Sequence, residues 1–300
     1  MVKYLGKILL CTLSVMVGAV AGGMFSTALR LEQPKVPGQV DLRWLGLYSF
    51  AGGVVLSVAL TELAWCLPGD RRLRFVIIAW LAFAWLGLNN VIEATIFTTI
   101  GGGISVVVTM LFPSLCVAGA VTRLFEGLES AELVSAGVRR FLSDRTVAQW
   151  IIRSSAAVIA FPVVYFLFGM PVGLIVGESY RNQAFDLQMP TLGVVIGVQF
   201  LRSLVALLAV LPVLIVWPGS RQRFAWTFGL NLFVLSGLYG LIQAYWMPWR
   251  MRGIHTIELL FDSLAYGWLL AFLLRSGAPA GNPLPAEKVG KPDDHVKLVA

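Results

Sequence analysis

Eight separate apolar runs dominate this chain, at 5–29, 45–67, 75–98, 101–122, 150–168, 192–217, 224–247 and 254–274. A helix needs about 20 such residues to cross a hydrocarbon core of roughly 30 Å, and a bilayer leaves few other folds open to runs of this length. The runs are continuous rather than alternating, which excludes a transmembrane β-barrel. With only 13% charged residues, the chain also lacks the polar surface that a water-soluble domain of 300 residues requires. The expected fold is therefore all-α, a polytopic helical membrane protein with eight transmembrane helices.

The net charge of +7 does not point to nucleic acid, because the basic residues sit in short clusters between the apolar runs, as in membrane loops. With the N-terminus on the cytoplasmic side, 16 of the 23 Lys and Arg residues fall inside, six fall outside, and Arg202 lies within a span. The positive-inside rule then places both termini in the cytoplasm. Compactness and short loops suggest a cell membrane of the prokaryotic inner type. Cys11, Cys66 and Cys116 are odd in number and lack CxxC spacing, so they imply neither a disulfide framework nor a zinc ribbon. A rival reading takes residues 1–21 as a cleaved signal peptide, with Ala19-Val20-Ala21 as the cleavage site.

An internal match weighs against that rival. Pro68-Gly69-Asp70-Arg71 corresponds to Pro218-Gly219-Ser220-Arg221 at an offset of 150, and Gly87-Leu88 through Ala94 corresponds to Gly237-Leu238 through Ala244. Leu111-Phe112 and Ser114-Leu115 correspond to Leu260-Phe261 and Ser263-Leu264 at an offset of 149. More weakly, Lys7 and Gly23-Met24 in the first span match Arg153 and Gly169-Met170 in the fifth. Each unit has four spans, so the second copy enters the membrane from the same side as the first. The expected organisation is two parallel-topology four-helix repeats, 1–122 and 150–275. A cytoplasmic amphipathic linker at 123–149 joins them, and a disordered cytoplasmic tail follows at 276–300.

Ionisable residues inside a membrane are costly enough that each is a functional candidate. At 1.5 Å rise per residue, Arg202, Asn89, Asn90 and Asp262 lie within about 4 Å of mid-span on the outer side, and Glu93 and Glu258 within about 10 Å. Gln243 closes the seventh span and His255 opens the eighth. His255, Glu258 and Asp262 are spaced i, i+3, i+7 and share a helix face, while Asn89 and Glu93 form an i, i+4 pair. These residues predict an outward-facing pocket between the halves, with three carboxylates around one guanidinium. Glu93, Glu258 and Asp262 would be its acidic groups, Arg202 a counter-ion or anion clamp, and Asn89, Asn90 and Gln243 neutral ligands. Arg202 paired with Glu93 or Asp262 as a structural lock is an equal alternative. Glu93 aligns with Gln243, and Arg202 with Gly52, so the polar groups break the symmetry of the copies.

Glu62 stands apart, near the inner interface beside Arg71 or Arg74. Gly169, Gly173 and Gly177, and likewise Gly193 and Gly197, read as ridges for close helix packing. There is no Walker A sequence, GxSxG, HExxH or GxGxxG motif. One membrane histidine excludes bis-histidine haem, and no cofactor is implied.

Three functions fit. The first is a small permease-like transporter that binds a proton, a cation or a small polar solute. The second is a membrane-embedded enzyme acting on a lipid-linked substrate, with His255, Glu258 and Asp262 as metal ligands. The third is a non-catalytic scaffold subunit of a membrane complex. The lipid bilayer is the expected partner in each, with a small solute or ion in the first, and the sequence names no protein partner.

Overall fold

The computed structural model describes residues 2–35, 41–128 and 130–275. The expected tail lies outside them. Among the described residues nine long helices form: α1 (Val2–Ala28), α2 (Leu42–Cys66), α3 (Arg71–Phe97), α4 (Gly103–Leu124), α5 (Ala131–Ser143), α6 (Val147–Arg181), α7 (Leu192–Val216), α8 (Arg221–Gln243) and α9 (Trp249–Leu274). All except α5 are long and apolar enough to span a membrane, and no strand forms among the described residues. Leucine, valine, isoleucine and methionine side chains stand exposed along α6 in particular, Leu174 being 91% exposed. Water would penalise that surface and lipid solvates it, so the chain is an integral membrane protein.

Helix starts follow local chemistry. Asp70 caps α3 by accepting from Leu73 N at 2.8 Å, and Ser220 caps α8 by accepting from Arg223 N at 3.1 Å. Each cap follows a Pro-Gly turn, and in the first of them Gly69 adopts φ +106°, a conformation glycine takes without strain. α3 and α8 also share a feature invisible in the sequence, a π-helical turn at Ala84–Asn89 in one and at Val234–Leu238 in the other. α5 lies within the segment expected to be an amphipathic linker, is capped by Ser130 and packs on α7.

In the first half, α1 packs against α2 and α4, and α4 against α3; in the second, α6 packs against α7 and α9, and α9 against α8. The halves meet where α2 lies on α8, α3 lies on α7, and the two π-helical turns touch. One end of the bundle, called here the N-terminal end, carries the start of α1, α5 and the Pro-Gly turns. The loops of the opposite end are stitched together, Lys35 N to Ile100 O and Thr99 N to Asp186 O, both 2.8 Å.

Three expectations need correction. The fifth span does not stop at 168 but runs helically to Arg181, because Gly169 and Pro171 interrupt neither a helix already nucleated nor its apolar face. The glycine ridges pack only at Gly169, where an added Cβ would come within 3.0 Å of Glu258 Oε1 of α9; a Cβ on Gly173, Gly193 or Gly197 would meet nothing within 4 Å, since those positions are turned away from neighbouring helices. Glu62 is exposed and forms no ion pair with Arg71 or Arg74 among the described residues.

Close packing falls elsewhere. A Cβ on Gly18 would come within 2.6 Å of Pro113 Cα, and one on Gly22 would collide with the Thr109 backbone. Gly22→Leu is therefore expected to destabilise the α1–α4 contact by at least about 1–3 kcal/mol. Gly23→Leu, where the added Cβ meets open space, should stay within about 0.5 kcal/mol. Unfolding of the two variants in detergent micelles checks the contrast.

Candidate functional site

A cavity of about 350 Å³ lies within the second half, closed on one side by α3 of the first. Its size is that of a small-molecule site. Asn90, Glu93, Arg202, His255, Glu258 and Asp262 all line it, so the structure brings together six of the predicted polar residues. Asn89 stands just behind the wall. Gln243 is not brought there: its Nε2 donates to Tyr239 O at 3.2 Å and its side chain lies against Gly52, on the far side of α8 from the others. Position within an apolar run reports depth, not the side of the bundle a residue faces.

Arg202 is 3% exposed and its neighbours solvate it in place of water. Its Nε donates to Asn89 Oδ1 at 2.7 Å, and its Nη1 reaches Glu93 Oε1 at 2.8 Å and Gln199 Oε1 at 3.1 Å. Asn89 Nδ2 returns a bond to Arg202 O at 2.9 Å. The rings of Phe161 and Tyr165 lie 5.5 and 5.9 Å from the guanidinium carbon. The π-helical turn makes this possible, directing Asn89 to α7 while its neighbour Asn90 donates to Leu235 O of α8 at 3.0 Å. Sequence reasoning missed Gln199, Phe161 and Tyr165. Gln199 was accessible, since it precedes Arg202 by three residues on the same helix face.

At the mouth, His255 Nδ1 and Glu258 Oε2 are 2.7 Å apart, and Tyr180 OH lies 3.3 Å from His255 Nε2. Both imidazole nitrogens are therefore engaged. Among the described residues no group of three His, Cys, Asp or Glu side chains is placed to hold a metal ion. His255, Glu258 and Asp262 do share a helix face, but the first two close on each other. The loop after α6 reaches the cavity through buried Leu187, held by Gln188 N donating to Phe97 O at 2.8 Å.

Asp262 differs from its neighbours. It takes part in no ion pair among the described residues, and its Oδ1 is buried with no hydrogen-bond partner. Asn90 Oδ1 and Trp85 Nε1, also on the cavity wall, are buried without partners too. Glu93 is committed to Arg202 and Glu258 to His255, so Asp262 supplies acceptor capacity and formal negative charge that no side chain answers. Two buried acceptors and one buried donor among the residues of one cavity are thus left without a side-chain partner.

Removing the guanidinium leaves Glu93, Asn89 and Gln199 facing one another without their shared donor. Arg202→Met is expected to cost about 3–5 kcal/mol, the price of breaking a buried pair. Asn89→Ala, which removes one partner of a neutral bond, should cost about 1–3 kcal/mol. Equal and small losses in detergent unfolding would show that the bridge does not hold α3 to α7.

No protein-family model, curated protein or solved structure matches this chain.

Proposed function

We propose that this integral membrane protein is a permease-like transporter that binds a proton or small cation at Asp262, in a cavity opening to the outside. The observation that carries the reading is the buried Asp262 carboxyl, partnerless in a cavity of about 350 Å³ that holds three carboxyl groups and one guanidinium already spoken for. A carboxylate buried without a counter-charge is unfavourable, and a bound cation or proton relieves that cost. Asn90 Oδ1 adds a second free acceptor, and Glu258 a carboxylate near the mouth. Arg202 serves as the structural lock between helices rather than as an anion clamp, because its Nε and Nη1 are occupied.

The orientation rests on the positive-inside rule, which makes the N-terminal end of the bundle cytoplasmic and the cavity's loop-covered end external. Duplication of a four-helix unit is supported by the caps at Asp70 and Ser220, the π-helical turns at Ala84–Asn89 and Val234–Leu238, and the like pairing of helices within each half. Gly52 beside Tyr239 and Gln243 mirrors Arg202 beside Asn89 and Glu93. On this reading residues 1–122 and 150–275 are the repeats and 123–149 joins them. A second reading, a scaffold subunit, draws on the fully bonded Arg202 bridge. It predicts a stable co-purifying partner and no flux.

Proteoliposomes with an entrapped pH-sensitive dye, given an inward proton gradient or external methylammonium, test the proposal. The parent protein should dissipate the gradient or admit the amine faster than empty vesicles. Asp262→Asn should reduce that excess rate at least about tenfold, which corresponds to 1.4 kcal/mol of lost binding or transition-state stabilisation. Glu62→Gln, remote from the cavity, should leave it intact. An Asp262→Asn rate equal to the parent's would overturn the assignment.

A further inference from the structure

At the N-terminal end, opposite the cavity's loops, arginines converge on the last turn of α9. Arg145 Nη1 donates to Leu274 O at 2.8 Å, Arg153 Nη1 to Leu273 O at 2.9 Å, and Arg221 Nη2 to Arg275 O at 2.9 Å. Arg275, 8% exposed, folds back onto Trp217 O at 3.3 Å and Gly219 O at 2.6 Å. Arg140 of α5 completes the group, close enough for its charge to act on Arg275. The α9 C-terminus supplies only about half a negative charge against these five positive ones. Among the described residues none of the five is ion-paired with a carboxylate, although the Asp144 charge reaches Arg145.

The strain of that excess is visible. Burial, with Arg140 and Arg221 adding to it, lowers the Arg275 guanidinium to about 10, and burial followed by the Arg153 charge lowers Arg145. The Nε atoms of Arg221 and Arg275 are buried without acceptors. Aromatic rings flank the group: Arg145 lies 4.8 Å from the ring centre of Trp150, a residue type enriched at membrane interfaces, and Arg221 lies 5.8 Å from that of Phe272. Val147 and Ile151 of α6 and Phe272 of α9 are exposed beside it, an apolar surface fit for an acyl chain.

We propose that this cluster is a binding site for the phosphate of an anionic phospholipid headgroup, gripped by Arg145, Arg153 and Arg221 with Arg140 at its edge. Basic pockets between helix ends recognise such headgroups through charge-assisted bonds to phosphate oxygens. The exposed apolar track selects a lipid over a soluble phosphate, which has nothing to place there. The site is distinct from the Asp262 cavity and stands or falls separately from it.

Thermal unfolding of the full chain in a mild non-ionic detergent, titrated with phosphatidylglycerol, phosphatidylcholine or inorganic phosphate, tests the site. Phosphatidylglycerol should raise the melting temperature saturably, while the other two should not. Arg153→Gln and Arg221→Gln should each weaken its apparent affinity about fivefold, the weight of one basic residue at an anionic surface. Arg139→Gln, on the exposed side of α5 and bonded within its own helix, should leave it unchanged. Should the variants fail to fold, native mass spectrometry of the parent decides, the proposal requiring retention of phosphatidylglycerol adducts in preference to phosphatidylcholine. Equal response to both lipids, an equal loss in Arg139→Gln, or stabilisation by inorganic phosphate alone would overturn it, the last by naming a soluble anion as the ligand.

Discussion

A guanidinium surrounded by hydrocarbon must bring its own solvation shell, and at Arg202 that shell is assembled from three helices. α3 contributes Asn89 and Glu93, α7 contributes Gln199 from its own turn, and α6 contributes the rings of Phe161 and Tyr165. Losing any of these groups would leave a buried charge or dipole uncompensated. The requirement fixes how α3 meets α7 and so fixes one wall of the cavity. It also uses up Glu93, which leaves Asp262 as the carboxyl with unanswered demand.

The two sides of the central interface are built differently. Where α7 offers Arg202 to Asn89 and Glu93, α2 offers Gly52 to Tyr239 and Gln243. A hydrogen atom takes the place of a long cation, and the buried Tyr239 ring occupies the room so released. One side therefore packs, while the other keeps a charged bridge and an open volume behind it. On a duplicated origin, a structural repeat has become a functional asymmetry through very few positions.

The eight long apolar helices were legible because continuous apolar runs constrain them directly. Helical spacing correctly joined His255 to Glu258 and brought Asn89 and Glu93 to one partner. It failed for Gln243, since a single helix's periodicity carries no information about which neighbour covers which face. The π-helical turns were hidden for a related reason: an extra residue in one turn changes the register without changing composition, and Gly87 and Gly237 look like any membrane glycine. The glycine ridges misled because small residues permit close approach but do not compel it. Gly18 and Gly22, which are in contact, were spaced no differently from Gly193 and Gly197, which are not.

α6 is 35 residues long, so at 1.5 Å per residue it extends about 52 Å, well beyond a hydrocarbon core of roughly 30 Å. Such a helix tilts, protrudes or thickens the lipid around it. Its C-terminal end carries Tyr180 and leads to Leu187, both on the cavity wall, while its middle carries Phe161 and Tyr165 against Arg202. Any change in the tilt of α6 would therefore carry one wall of the cavity with it.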